Sequence, residues 1–386
     1  MGMSKYLKTS TCIFCILYIL GCKNAKKSEA DSEKDIVWKV KESKKIIDTT
    51  LHFVTTTKTI EQFNYSGNGN VFFQDSNIIV HDNLFGITTI LSTRGKIIKQ
   101  FGGLDTSENH HNTWTLPYSI TKYSNGYASI FQRSIAYLDS TFGITTIKNI
   151  KFRGKENLTS ILDIPSPNNM TAYELNERAK NYCQISESEI VVSVESEAPS
   201  FNPYNSLEYF KKARSFGLVN LKKGSLSAIP ITRSSVYKDT CCLSVQDGSF
   251  FVKKDSTFYI QFAADSLIYV YNQKYIPLYA YGVSGNFNPN RIYNNGLEIA
   301  FDDEKYKQLE EQANVIESLF LFEKDMIGRI ANNRSTKKKY LQVFKDADLI
   351  NETEIPADFN FIGVMNSSII GILKGKENHL KLCIIK

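Results

Sequence analysis

Histidine and tryptophan are scarce in this chain, with five and two in 386 residues. So few imidazoles leave little material for a multi-histidine metal centre or a histidine-based acid–base array. Proline is also sparse, at nine, too few for a proline-rich low-complexity segment. No Gly-x-Ser-x-Gly stretch is present. The nearest approach to a phosphate loop, Gly67-Asn68-Gly69-Asn70, lacks the third glycine and the following helix, and reads as a turn. No basic helix or arginine-rich stripe accompanies the formal net charge of +6, which argues against a nucleic-acid partner.

The material that is present suits a large β domain. Hydrophobic residues make up 42% and aromatics 12%, enough to bury a sizeable core. The hexapeptide Phe85-Gly86-Ile87-Thr88-Thr89-Ile90 recurs as Phe142-Gly143-Ile144-Thr145-Thr146-Ile147, with a looser copy at Phe216-Gly217-Leu218-Val219-Asn220. Such identity points to repeated supersecondary units, with the two hexapeptides in matching strands. From about Ile46 onward, runs of four to seven Ile, Val, Phe, Tyr and Thr residues are bounded by Asn, Asp, Gly and Ser, the pattern of short antiparallel strands with tight turns. Several runs are apolar on both faces, such as Asn77–Val80, Ser266–Val270 and Ser368–Leu373. An open sandwich shows cleaner alternation, whereas blades stacked around an axis bury both faces of each sheet.

The expected fold is therefore all-β, a six-bladed β-propeller of four-stranded antiparallel blades. Its last blade is expected to close with an N-terminal strand near Leu51–Thr57, because an unclosed ring leaves two strand edges unpaired. Two stretches depart from the pattern. Thr171-Ala172-Tyr173-Glu174 has capping-box spacing and predicts a short helix to about Lys180. Asp303–Leu319 has helical periodicity, with Asp302-Asp303 at its N-terminus, where carboxylates favour the dipole.

The N-terminus carries an address. Lys5 and Lys8 precede an uncharged run from Thr11 to Leu20, long enough for a signal-peptide core and too short to cross a bilayer. Ile19-Leu20-Gly21-Cys22 resembles the bacterial lipobox, which implies cleavage after residue 21 and acylation of Cys22. Residues 22–45 then read as an acylated N-terminus and disordered tether, and 46–386 as the propeller domain. Without Lys5 and Lys8 the formal net charge falls from +6 to +4. The four remaining cysteines, at 183, 241, 242 and 383, fit no metal ribbon and read as buried thiols.

Taken with the blade period, the Leu20-Gly21-Cys22 start and the linker residues Phe101-Gly102-Gly103-Leu104 and Pro117-Tyr118-Ser119-Ile120, the chain resembles the uncharacterised six-bladed β-propeller lipoproteins of gut-type Gram-negative bacteria. The Gly-Pro-Gly-Glu linker common in that group is absent. The resemblance implies an outer-membrane lipoprotein of the cell envelope, held to the membrane by acyl chains on Cys22, and implies no activity.

Candidate chemistry is thin. His110 and His111, with Asp105 and Glu108, form the densest group of ligand types, yet adjacent histidines at this spacing match no zinc pattern, so neither a metal nor a cofactor is expected. The basic stretch Asn332–Lys339 reads as a solvated hairpin tip. Phe201-Asn202-Pro203-Tyr204-Asn205 and Phe287-Asn288-Pro289-Asn290-Arg291 share Phe-Asn-Pro at comparable inter-blade positions. With His110, His111, Trp114 and Tyr118, the residues Tyr204, Asn205, Asn288 and Arg291 would form an aromatic and amide rim suited to sugars or peptides. The expected function is a binding or scaffold module for a glycan, peptide or protein partner. The alternative is a propeller hydrolase or lyase working at the channel mouth. No catalytic residues are assigned.

Overall fold

The computed structural model describes residues 38–48, 51–102, 117–131, 133–154, 165–176, 181–204, 206–237, 243–290, 302–323, 325–375 and 379–386. Its strands follow the sequence blade by blade. After β1 (Thr55–Thr59), blade 1 comprises β2 (Gly69–Gln74), β3 (Asn77–Asp82), β4 (Ile87–Ser92) and β5 (Ile97–Gly102). Blade 2 comprises β6 (Pro117–Tyr123), β7 (Gly126–Phe131), β8 (Ser134–Leu138) and β9 (Ile144–Asn149). Two short strands come next, β10 (Lys151–Phe152) and β11 (Tyr173–Leu175). Blade 3 is β12 (Tyr182–Ser186), β13 (Glu189–Ser196), β14 (Phe216–Asn220) and β15 (Ser225–Ala228). Helix α1 (Leu207–Lys212) lies between β13 and β14.

Blade 4 is β16 (Ser249–Lys254), β17 (Thr257–Phe262), β18 (Ile268–Asn272) and β19 (Pro277–Tyr281). Helix α2 (Asp303–Gln312) precedes blade 5, which is β20 (Val315–Glu323), β21 (Met326–Asn333), β22 (Lys338–Lys345) and β23 (Asp348–Ile355). Blade 6 comprises β24 (Phe359–Met365), β25 (Ser368–Lys374) and β26 (Leu380–Ile385), and its fourth strand is β1, paired antiparallel with β26 from Thr55 opposite Ile385 to Thr59 opposite Lys381. The ring closes as expected, as a six-bladed β-propeller. Blade 3 is the widest sheet: β10 joins β15 in parallel and β11 pairs with the far end of β13.

Local chemistry sets the hairpins. Asp75-Ser76, Asp346-Ala347 and Asn366-Ser367 all have two consecutive positive φ angles, the backbone of the two-residue turn that matches strand twist. The apolar strands then pack face to face. β25 is buried from Ser368 to Leu373, and β3 from Ile78 to Asp82. The core is correspondingly divided into wedges between blades. One wedge joins Phe72, Ile79 and Ile90 of blade 1 to Ile120, Ala136 and Leu138 of blade 2, and another joins Ile78 and Val80 of blade 1 to Ile370, Ile372 and Leu382 of blade 6.

Four expectations are corrected. The repeated hexapeptide does not occupy matching strands: its first copy enters β4, third in blade 1, and its second enters β9, fourth in blade 2. What repeats is a turn. Asp82 Oδ1 accepts from the backbone of Leu84 at 2.9 Å and Phe85 at 3.0 Å, and Asp139 Oδ1 accepts from Thr141 at 2.7 Å and Gly143 at 2.8 Å. Both segments read Asp-x-x-Phe-Gly-Ile-Thr-Thr-Ile, so the identity belongs to an Asp-capped hairpin used at two different places. The bonds from Gly143 and Thr141 hold the Asp139 carboxyl below its usual range.

The capping box at Thr171 opens no helix. Asn169 instead caps a single 3-10 turn, Met170–Ala172, and the chain passes directly into β11, because pairing with β13 satisfies the backbone that a helix would otherwise have used. The second predicted helix ends at Gln312 rather than Leu319, since Val315 onward is the first strand of blade 5; Asp302 does cap it, accepting from Lys305 N at 3.0 Å. Lys339 is no solvated tip residue: it is buried in β22, where Nζ contacts Glu317 at 2.7 Å and donates to Phe359 O at 2.7 Å.

The domain also begins before residue 46. Residues 38–48 form a strap along the outermost strands of blades 4 and 5. Val40 bridges Ala280 and Lys45 bridges Leu349, both in parallel. Trp38 packs edge-on against Tyr269 and Tyr271, at 4.8 and 5.1 Å between ring centroids, and Lys45 Nζ reaches the buried Glu352 carboxylate at 2.5 Å. Truncation should therefore act in steps. A chain starting at Asp35 should melt highest, one starting at Leu51 should lose the strap and melt lower, and one starting at Asn64 should lose β1 as well and melt lowest or aggregate. Calorimetry on the three chains checks this order, and coincident melting would show that neither strap nor closure carries stability.

Candidate functional site

Because strands alternate in direction, one face of the ring collects the inter-blade connections together with the turns between second and third strands. On that face, where the first strands of blades 4, 5 and 6 begin, lies a cleft of about 660 Å³. Its floor comes from the strands: Phe250 of β16, Val315 to Ser318 of β20, Ile330 of β21, and Asn360 and Phe361 of β24. Its walls come from loops: Ser244, Val245 and Gly248 on one side, and Tyr306, Glu310 and Arg334 on the other.

Each wall is braced. Ser244 opens a one-turn 3-10 helix, Ser244–Asp247, and Asp247 is held by a buried ion pair to the Nε and Nη2 of Arg233, the latter at 2.7 Å from Oδ2. Tyr209 of α1 donates its hydroxyl to Asp247 at 2.7 Å, and the Arg233 guanidinium lies 4.1 Å from the Tyr209 ring centre. Burial alone would pull the guanidinium down, but Asp247 outweighs it and holds Arg233 above its ordinary value. The group fastens the wall of the cleft to α1.

The opposite wall is built around Asn333. Its Oδ1 accepts from Ser335 Oγ at 2.8 Å and Thr336 N at 3.2 Å, fixing the 3-10 turn Arg334–Thr336, and its Nδ2 donates to Asn286 O at 2.9 Å. Arg334 Nη1 then donates to Glu310 O at 2.9 Å, in the last turn of α2, where the helix dipole is negative. The hydroxyls of Ser244 and Tyr306 bond to one another across the cleft. Within the floor, Glu317 is neutralised by Lys339 and accepts from Asn332 at 2.6 Å. The Ser318 hydroxyl is buried with no hydrogen-bond partner among the described residues. Phe361 stacks on Phe320 at 4.4 Å and 15° and lines the cleft.

Another buried cation lies between blades 4 and 5. Arg329 donates to Gln342 Oε1 at 2.6 Å, Gln261 Oε1 at 2.9 Å, Ser266 O at 2.7 Å and Val283 O at 2.7 Å, and no carboxylate bonds to it among the described residues. Desolvation pushes it down to about 10. Its neutral oxygen cage ties three strands and two turns together, a packing role.

The rim residues read from the sequence disperse. His110, His111, Trp114, Asn205 and Arg291 lie outside the described residues, as does Cys22. Tyr118 is buried in β6, where its hydroxyl donates to Asn181 O at 3.0 Å and Ser193 O at 3.3 Å. Tyr204 is half-buried in the loop between β13 and β14 of blade 3, so its segment is not inter-blade. Phe201 and Phe287 are fully buried anchors, and Asn202 Oδ1 accepts from Tyr204 N at 3.0 Å, so this Asn-Pro pair fixes its turn. Asn288 is exposed in a left-handed conformation, and its carbonyl accepts from Asn314 Nδ2 at 2.9 Å. That segment backs the cleft, since Asn290 Nδ2 donates to Gln312 O at 2.7 Å. The cleft residues themselves had no local signature, because they converge from five separated segments. Among the described residues no three His, Cys, Asp or Glu groups converge as metal ligands.

A six-bladed propeller with a mixed polar and aromatic cleft on its loop-bearing face defines the class. No family model and no curated protein matches the sequence. The solved structures that share the fold include two from Bacteroides. One is a member of the DUF4221 family from Bacteroides vulgatus, with a TM-score of 0.58 at 14% identity over 87% of this chain and 98% of that one. The other, a Bacteroides fragilis protein described as exported, has a TM-score of 0.50 at 11% identity over 90% of this chain and 99% of that one.

Replacing Asp247 by Asn should leave Arg233 buried without its counter-charge and cost about 3–5 kcal/mol. Urea unfolding of the variant measures this loss. A loss below about 1 kcal/mol would mean that the pair does not hold the wall.

Proposed function

We propose that this protein is an envelope-associated binding module whose ligand site is the cleft between blades 4, 5 and 6. The observation that carries the reading is the cleft itself: a concave site of small-molecule size, with aromatic faces and a few positioned polar groups on a rigid β scaffold. Strands in a propeller are committed to blade packing, so loops and cleft walls are the surfaces open to recognition. Glycans and peptides suit that lining, because each offers apolar ring or side-chain faces beside hydrogen-bonding groups. The chain is held to the membrane through acyl chains on Cys22. Supporting this address are the lipobox-like Ile19-Leu20-Gly21-Cys22 and the exported description of the B. fragilis structure. Among the described residues, no helix is long and apolar enough to cross a membrane.

Two outcomes test the reading. Cys22→Ala should move the protein from the membrane fraction to the soluble fraction; unchanged fractionation would overturn the anchor. Glycan and peptide arrays probed with detergent-solubilised protein should give hits that the cleft-filling variant Asn360→Trp loses. Asn360 is exposed at the cleft, so this change should leave the melting temperature within a few degrees. Phe361→Ala should weaken the same hits by about 1–3 kcal/mol. Hits indifferent to Asn360→Trp would place recognition elsewhere.

A further inference from the structure

The geometry points to an acidic saccharide as the ligand of this cleft, with its carboxylate on Arg334; the inference rests on the binding reading above. A guanidinium carries five N–H donors in a planar fork that matches a carboxylate. Arg334 spends one nitrogen on Glu310 O, and its other donors have no protein partner among the described residues. The side chain is nonetheless fixed, because Asn333 sets the turn that carries it and Glu310 O holds one end of the fork. A half-buried cation held in place with most of its donors unspent is arranged for an anion.

The neighbouring charges narrow the class. Lys339 is already satisfied by Glu317 and Phe359 O, so it offers no second positive centre. Glu310 also lines the cleft. It would repel a doubly charged phosphate, but it accepts hydrogen bonds from hydroxyls. A ligand that brings one carboxylate and several hydroxyls satisfies both groups at once, and a uronic-acid saccharide has that composition. Phe361, backed by Phe320, supplies the flat apolar surface on which the C–H face of a pyranose packs, with Phe250 and Tyr306 around it. A peptide C-terminus shares the carboxylate but leaves Glu310 without a hydroxyl partner.

The test is calorimetric titration of the full detergent-solubilised protein with trigalacturonate, with its methyl ester, and with a tripeptide bearing a free C-terminus. The acid should bind, the ester at least tenfold more weakly, and the tripeptide more weakly than the acid. Arg334→Gln should weaken the acid at least tenfold while leaving the ester unchanged, and Arg334→Lys should recover only part of the loss. A melting temperature within a few degrees of the parent shows that each variant is folded. Equal binding of acid and ester, or indifference to Arg334→Gln, overturns the carboxylate assignment. Preference for the tripeptide overturns the saccharide, and so does binding of none of the three. In each of these cases, array hits that Asn360→Trp abolishes keep the cleft as a binding site, whereas hits that survive that variant sink the binding reading as well.

Discussion

Everything in this fold depends on burying both faces of each blade at the same time. A four-stranded sheet with Ile78, Ile79 and Val80 consecutive on one strand has no solvent-tolerant face, and in isolation would expose hundreds of square ångströms of hydrocarbon, each costing about 25 cal/mol. Neighbouring blades remove that surface pairwise, and the arrangement is self-consistent only when the last blade meets the first. The wedge between blades 6 and 1 joins β3 to β25 and β26, and β1 pairs the edge that β26 would otherwise leave open. Closure is thus a condition for burial across the whole ring, with β1 contributing little packing of its own: its five residues are all exposed.

Polar groups between blades then decide which blades meet and at what angle. Hydrocarbon wedges tolerate small slips, whereas Arg329 is satisfied only where Gln261, Ser266, Val283 and Gln342 surround it. The pair Arg233 and Asp247 lies within the connection from blade 3 to blade 4 and, through Tyr209, ties that connection to α1 on the loop-bearing face. Buried charges of this kind add little net stability, since desolvation offsets most of the attraction. Their effect is to make misaligned arrangements costly, and here they fix the frame on which the cleft walls stand.

The architecture was legible because strand signals are local: β-branched and aromatic runs, turn residues and two-faced hydrophobicity all reside in contiguous stretches. Closure by an N-terminal strand was legible from the cost of unpaired edges. Three things were not. The duplicated Asp-x-x-Phe-Gly-Ile-Thr-Thr-Ile segment looked like a blade repeat, but turn chemistry does not record which pair of strands a hairpin joins. The strap was hidden because Lys39, Lys41, Lys44 and Lys45 give residues 38–48 the composition of a solvated tether, while its pairing uses backbone bonds to residues more than two hundred positions away. The cleft was illegible for a similar reason. Arg334 sits in a stretch of lysines and asparagines that reads as solvent-exposed, and only the pairing of β21 with β20 and the placement of α2 turn it inward.

The path of residues 38–59 has a consequence for biosynthesis. Between residues 38 and 59 the chain touches, in succession, the outer strands of blades 4, 5 and 6, whose partner residues are Ala280, Leu349 and Lys381 to Ile385. On the ribosome these residues emerge first and their partners hundreds of residues later, so the lacing cannot begin while blades 1 to 3 are being made. The nascent polypeptide therefore spends most of its synthesis with an open ring and an unpaired leading segment. Strand order thereby delays folding of the domain until nearly its whole length has been released.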